Sequence, residues 1–130
     1  MYQIKKNSNV IVEELEIENE KGEKTVFKVN VSFDKIAKKY HQLRAMMSSY
    51  EKEIEKSESD EWFEKYVEVF VELMRLFFGD EEAKRLIEYY DGNYTDVLLD
   101  IAPFIVEVVQ PKVNQRMSEK AQKYIDNSNV

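Results

Sequence analysis

Residues 62–78, WFEKYVEVFVELMRLFF, decide the fold, because apolar side chains recur along them at helical spacing and continue around most of the helix. One face carries Phe63, Tyr66, Val67, Phe70, Leu73, Met74 and Phe77. The other side is also apolar, at Trp62, Val69, Val71, Leu76 and Phe78. Polar side chains interrupt the surface only at Glu64, Lys65, Glu68, Glu72 and Arg75. We expect such a helix at the centre of the domain, covered by the other elements.

The composition of the chain limits the classes of protein to consider. Its 130 residues are enough for one domain with a core of its own. The absence of cysteine excludes disulfides, thiolate metal sites and a cysteine nucleophile. The net charge of −7 disfavours nucleic acid as a partner, because phosphate binding needs clustered lysine and arginine. Because no signal-peptide core and no apolar run of about 18 residues is present, we expect no membrane partner and a cytoplasmic location.

Residues 10–33 alternate with the period of β-strands and are predicted to form a hairpin. The apolar positions before its turn are Val10, Val12, Leu15 and Ile17. Those after the turn are Phe27, Val29, Val31 and Phe33. The polar turn itself contains Gly22. A lone hairpin is marginally stable, so its apolar face is expected to pack on the helices or on another subunit.

A long helix is predicted next, because apolar residues follow one another at alternating steps of three and four. This seam consists of Phe33, Ile36, Tyr40, Leu43, Met47, Tyr50 and Ile54. The short polar segment SESDE then leads into the central helix, which favours two antiparallel neighbours. A coiled-coil dimer along the same seam is the alternative.

The remaining chain is predicted to be helical, with breaks at its glycines and prolines. Gly79 ends the central helix, and a short helix follows until Gly92. Pro103 either kinks the next, apolar helix or lies in the first turn of a new one, and Pro111 interrupts it again. The predicted class is therefore α+β: a single domain over residues 1–130, with a hairpin at 10–33, four or five helices within 34–125 and a frayed tail at 126–130.

The sequence contains no recognisable catalytic, cofactor-binding or metal-binding motif, so we expect a protein that is not an enzyme. His41 is the only histidine, and without cysteine it cannot complete a zinc site. The three glycines are isolated, which excludes a glycine-rich phosphate loop. The pairs Glu81 with Glu82 and Asp91 with Asp96 are better explained as helix-end acids than as ligands for Mg²⁺ or Ca²⁺.

Two surface features favour binding to other proteins. The long helix is basic at its start, whereas residues 51–72 are acidic; this pattern indicates either solvated faces or head-to-tail contacts between subunits of a homo-oligomer. Tyrosine is frequent in interfaces because it combines apolar area with a polar tip. The residues predicted to bind a partner are Tyr40, Met47, Tyr50, Tyr89, Tyr90 and Tyr94. The first three, with the adaptable Met46, form an apolar groove or, in the simpler interpretation, belong to the core.

The segment RLIEYYDGNYTDVLLDIAPFIVEVVQPKV, residues 85–113, resembles the small tail assembly chaperones of long-tailed phages that infect Gram-positive hosts. The shared features are an acidic, aromatic-rich helix and connector followed by an apolar helix interrupted by proline. With the strand-forming start and the lysine- and glutamate-rich middle, the likeness extends over about residues 25–115.

This resemblance implies a non-enzymatic protein that binds and shields the tape-measure protein and helps to recruit tail-tube subunits, often by self-assembly. It transfers no individual functional residue to this chain. Two alternatives stay open at this point. The first is a structural or adaptor protein of a phage or prophage particle, and the second is a small self-assembling helical interaction module.

Overall fold

The computed structural model of the chain describes residues 1–4 and 9–128. Two antiparallel strands, β1 (Val10–Glu18) and β2 (Lys24–Ser32), are followed by the helices α1 (Phe33–Lys56), α2 (Glu61–Phe78) and α3 (Asp80–Tyr89). The chain then continues as α4 (Tyr94–Phe104), a π-helical turn (Ile105–Val109) and α5 (Gln110–Ser128). The predicted α+β class, an N-terminal hairpin followed by helices, is confirmed.

The β-hairpin packs one face on the helices and leaves the other in solvent, as predicted. Its turn is closed by Gly22, whose φ of +80° suits a residue without a side chain and whose N–H donates to the Asn19 carbonyl at 3.0 Å. The inward-facing positions include Ile11, Phe27 and Val29, all buried. Val10 and Val12 belong to the outward-facing set and are exposed, because the period-two alternation separates them from Leu15 and Ile17.

Helix α2 lies at the centre of the domain, as its all-round apolar pattern predicts. Its buried residues are Val67, Val69, Phe70, Val71, Leu73, Met74, Phe77 and Phe78. They contact α1, α3, α4 and β2. The side chains that remain in contact with solvent include the five polar residues of the segment. The central position follows from burial on several sides at once, which an ordinary amphipathic helix does not need.

Helix α1 packs antiparallel to α2 along the predicted seam. The Tyr40 ring lies 5.8 Å from the Phe77 ring, and the Tyr50 ring lies 5.7 Å from the Trp62 ring. The earlier residue of α1 thus contacts the later residue of α2, and the reverse holds for the second pair, so the two helices run in opposite directions. The seam is buried from Phe33 to Met47. It therefore forms the core between two helices of one chain, as the simpler interpretation proposed.

The last third of the chain is one continuous helical segment despite its two prolines. Pro103 lies inside α4, next to its end, and does not begin a new helix. The π-helical turn ends at Val109, two residues before Pro111, and the N–H of Gln110 donates to the Ile105 carbonyl. This wider turn absorbs the geometry that a proline imposes on the preceding turn, so the helix continues. Residues 126–128 belong to α5, which corrects the expectation of a frayed tail from 126; residues 129 and 130 lie outside the described range.

Helix α3 fastens the outer edge of β2 through one pair of charged side chains. Glu82 accepts the N–H of Lys28 at 3.1 Å, and Arg85 donates to the Val26 carbonyl at 2.6 Å. Arg85 also donates to Glu82 at 2.7 Å and lies 4.1 Å from the centre of the Phe27 ring. The hydrogen bond from Arg85 is the largest of several effects that lower the pKa of the Glu82 carboxyl below its ordinary value.

This lowered pKa makes part of the stability dependent on pH. At neutral pH the wild-type protein is expected to be more stable than Glu82→Gln, and the difference is expected to disappear as the medium becomes acidic. The contribution is complete above the ordinary glutamate pKa of 4.5 and is lost as the pH falls through the lower folded-state pKa. Urea unfolding of both proteins between neutral pH and about pH 3 measures this difference.

The substitution Glu81→Gln, at the exposed neighbouring position, controls for the loss of one acidic side chain. A stability difference between the wild type and Glu82→Gln that stays constant over the whole pH range would contradict the role assigned to the carboxylate.

Candidate functional site

The structure separates the six residues predicted to bind a partner. Tyr40 and Met47 lie in the core, with only 4% and 3% of their surfaces exposed, so they are corrected from partner-binding to packing residues. Burial also raises the pKa of the Tyr40 phenol. Their place on the seam opposite α2 explains this outcome, because the apolar face of α1 has α2 as its neighbour along that length. His41, beside Tyr40, is exposed.

Tyr89 and Tyr90 are half-buried at the end of α3 and connect neighbouring elements. The Tyr89 ring packs edge-on against Phe27 at 5.7 Å and against Tyr90 at 5.6 Å. Burial, followed by a hydrogen bond to Asp100, raises the pKa of the Tyr90 phenol well above its ordinary value. The two rings thus hold the end of α3 against β2 and α4, while part of their surface stays accessible.

Tyr50 and Tyr94 are brought together, with Met46, in one groove. Met46 and Tyr50 come from α1, the residues between them come from α2, and Tyr94 is the first residue of α4. The groove encloses about 520 Å³. Met46 and Tyr94 are 42% and 41% exposed, a high value for large apolar side chains, and both face this space.

Two buried valines of α2 contribute to the groove. Val69 and Val71 line it, and both are almost completely buried. Val69 also belongs to the continuous core, whereas Val71 is buried outside it. Helical spacing places the two valines on either side of the charged residues of α2, so the apolar part of this helix closes the core and also borders the groove.

Between the two valines, α2 presents charges of both signs to the groove. These side chains are Lys65, Glu68, Glu72 and Arg75. Lys65 lies 3.3 Å from Glu61 and 4.4 Å from the Trp62 ring, while Arg75 lies 3.0 Å from Glu72. Exposed pairs of this kind contribute little to stability, typically less than about 1 kcal/mol each. They are therefore free to exchange their partners for those of a bound protein at small cost.

One end of the groove is fixed by aromatic packing. Tyr50 packs on Trp62, and next to them the Tyr66 hydroxyl donates to Glu51 at 3.2 Å. Burial, together with the nearby Glu51 carboxylate, raises the pKa of the Tyr66 phenol, so it remains a hydrogen-bond donor at neutral pH. Tyr50, which lines this end of the groove, is thus held in place by its aromatic neighbour Trp62.

Sequence reasoning found Tyr50, Tyr94 and the adaptable Met46, but it did not connect Val69 and Val71 with a groove. The available signal was the second apolar side of α2, which is wider than a helix covered on one side needs. Sequence reasoning also did not identify two exposed apolar side chains. Leu99 on α4 is 65% exposed, and Val106 in the π-helical turn is 55% exposed.

The described residues contain neither a metal-binding cluster nor a membrane-spanning helix. No group of three or more histidine, aspartate or glutamate side chains in residues 1–4 and 9–128 is arranged to hold a metal ion. Within that part of the chain, no helix combines the length and the apolar character that crossing a bilayer requires. Comparison with protein-family models, with curated proteins and with solved structures finds no match to this chain.

Proposed function

We propose that this protein is a non-enzymatic assembly chaperone whose groove binds a helical segment of a partner protein. In the setting that the resemblance implies, the partner is the tape-measure protein of a phage tail, and the bound complex helps to recruit tail-tube subunits. The observation that carries the proposal is the groove itself, which is lined by the exposed Met46 and Tyr94 and by two buried valines of α2.

The shape and chemistry of the groove fit an amphipathic helix. The apolar face of such a helix packs onto Met46, Tyr50 and Tyr94, and its charged side chains meet the acidic and basic side chains that α2 presents to the groove. A surface with charges of both signs accepts many charge patterns, which suits a chaperone that binds successive segments of a long protein. Methionine adds to this tolerance because its flexible side chain fits partners of different shape.

The size of the groove favours weak binding at each site. Stable interfaces bury about 1,200–2,000 Å² in total, which is more than one groove of this size covers when it holds a few side chains. A chaperone has to leave its partner once assembly proceeds, so many weak contacts along a long helical protein suit the task better than one tight contact. The proposed place of action is the cytoplasm of the host cell, where both partners are made.

The proposal is tested by co-expressing the chain with a tape-measure protein of the same phage or prophage and isolating the complex by affinity capture. The wild-type protein is expected to bind the tape-measure protein and to keep it soluble. Met46→Glu is expected to weaken binding at least about tenfold, because a carboxylate on the groove surface must be desolvated against an apolar face. To measure the affinity, the protein is titrated into a fluorescent helical peptide taken from the part of the tape-measure protein that it binds.

Leu99→Glu is the matched control, since it places the same charge at an exposed apolar position that does not line the groove. Its affinity is expected to equal that of the wild type. A wild-type protein that neither binds nor solubilises the tape-measure protein would remove the proposed partner, and equal losses in the two variants would remove the groove as its site.

The exposed Leu99 and Val106 favour one second candidate, a structural or adaptor protein that stays in the particle. A permanent neighbour would cover these side chains, as subunits of an assembled particle do. Mass spectrometry of purified particles distinguishes the two functions, because a chaperone is absent from the finished particle and an adaptor is present at a fixed ratio to the tube protein.

A further inference from the structure

The two outer edges of the β-hairpin differ in their hydrogen bonds to the rest of the protein. On β2 the outward N–H of Lys28 and the outward carbonyl of Val26 are occupied by Glu82 and Arg85 of α3. A pair of side chains thus takes the place that a third strand would fill. Covering an edge in this way prevents unwanted strand pairing.

In residues 1–4 and 9–128, no side chain covers the Val12–Glu16 edge of β1 in this way. Glu14 and Glu16 stand opposite Lys28 and Val26 in the strand register, so their peptide groups point away from β2 in the same way, and those of Val12 follow by alternation. Within residues 1–4 and 9–128, no hydrogen bond reaches the outward groups of these three residues. The open edge therefore offers three N–H donors and three carbonyl acceptors at strand spacing.

The side chains of β1 determine which strand fits this edge. The strand carries four glutamates, at positions 13, 14, 16 and 18, and no basic residue. Glu13 pairs with Lys112, and Glu14 lies 3.7 Å from Lys28, whereas Glu16 has no ion pair in the described part of the chain. Antiparallel pairing of β1 with a second copy of itself would bring these carboxylates together, which is unfavourable. A strand bearing lysine or arginine is complementary.

The surface beside the edge of β1 also has a cleft that can hold an added chain. Val10, Ile11 and Val12 line a cleft of about 300 Å³ together with the side chains that face them from α5, which are Lys112, Gln115 and Arg116. Basic groups thus stand at the Val12 end of the edge, and acidic groups stand at the Glu16 end. An antiparallel strand therefore fits best with its basic residues in its first half and neutral residues in its second half.

We propose that the open edge of β1 is a second docking site, independent of the groove, which binds an extended segment of a partner protein as an added antiparallel strand. Backbone hydrogen bonds to Val12, Glu14 and Glu16 hold the segment. Its lysine or arginine side chains lie beside the glutamates of β1, and its neutral end occupies the cleft next to α5. This mode of binding obtains affinity from the main chain and selectivity from alternate side chains.

The test uses a capped, fluorescent peptide that alternates lysine with valine in its first half and threonine with valine in its second half. A second peptide of the same sequence is N-methylated at alternate residues, so that it retains its charge but cannot complete the ladder. The first peptide is expected to bind and to slow amide hydrogen exchange at Val12, Glu14 and Glu16. The N-methylated peptide is expected to bind at least about tenfold more weakly, since it loses several backbone hydrogen bonds.

Two variants of the protein locate the site. Val12→Pro removes one outward N–H without removing a bond to β2 and is expected to weaken binding about fivefold. Glu16→Lys is expected to weaken it by a similar factor, whereas Glu55→Lys, an equal change of charge at the exposed end of α1, is expected to weaken it much less. Met46→Glu is expected to leave peptide binding unchanged, which separates this site from the groove.

Several results would overturn the proposal. One is equal binding of the N-methylated peptide, which would show attraction by charge alone. Another is equal binding of a peptide in which glutamate replaces lysine. A third is a wild-type protein that associates with itself and becomes monomeric on Val12→Pro, since the edge would then belong to a second copy of this chain.

Discussion

Phe77→Ala is expected to lower the free energy of unfolding by about 3–5 kcal/mol, the range typical for removal of a fully buried phenylalanine. The Phe77 side chain has no exposed surface and lies on α2, where α1 faces it through the Tyr40 ring at 5.8 Å. Because α2 contacts four other elements, the surrounding side chains cannot close the cavity without losing contacts elsewhere. Urea unfolding followed by circular dichroism measures the loss.

Two further variants make this result specific to the core. Phe77→Leu keeps most of the apolar volume and is expected to cost clearly less than the alanine variant. Leu99→Ala shortens a side chain that is 65% exposed and is expected to change stability by no more than about 0.5 kcal/mol. A loss below about 1 kcal/mol for Phe77→Ala would contradict the central position of α2.

The central helix could be predicted from the sequence because its signal is local. Burial on more than one side requires apolar residues around the whole helix, and residues 62–78 have them. The hairpin was predictable for a similar reason, since a strand with one buried face alternates and a five-residue turn contains a glycine with positive φ.

The extent of each contact along the helices was not predictable from spacing. Tyr40 and Tyr50 occupy the same seam, yet Tyr40 is buried and Tyr50 lines the groove. Periodicity identifies the face that a helix buries, but it contains no information on how far the neighbouring elements reach. Tyr40 lies opposite the buried end of α2, whereas Tyr50 lies beside Trp62, near the connection between the two helices.

The same limit applies to the prolines and to the edge of β2. A proline predicts the loss of one helical hydrogen bond, and both a break and a local π-helical turn satisfy that condition. Glu82 and Arg85 lie more than fifty residues from the strand that they cover, at separations of 54 and 59. From sequence alone, Glu82 is equally well explained as an acidic residue at the start of a helix. Only the packed structure reveals that it also covers the edge of β2.

Phe27→Ala is expected to cost about 3–5 kcal/mol, although Phe27 lies in a hairpin that contributes only two strands. Its side chain is completely buried, with the Tyr89 ring at 5.7 Å and the Arg85 guanidinium at 4.1 Å. The phenylalanine therefore joins the hairpin to the helical core. Because the hairpin and the helical core share the contacts around Phe27, they are expected to unfold together. Urea unfolding is then expected to show the same single transition by circular dichroism and by fluorescence of Trp62.

Val26→Ala provides the matched control, one residue away on the outward face of the same strand. Val26 is 39% exposed, so its truncation is expected to change stability by no more than about 0.5 kcal/mol. If the two positions gave equal losses, burial of the inward face would not be the source of stability. If Phe27→Ala left the helical transition unchanged and unfolded only the hairpin, the chain would consist of two separately stable parts, and the single domain inferred from the sequence would be wrong.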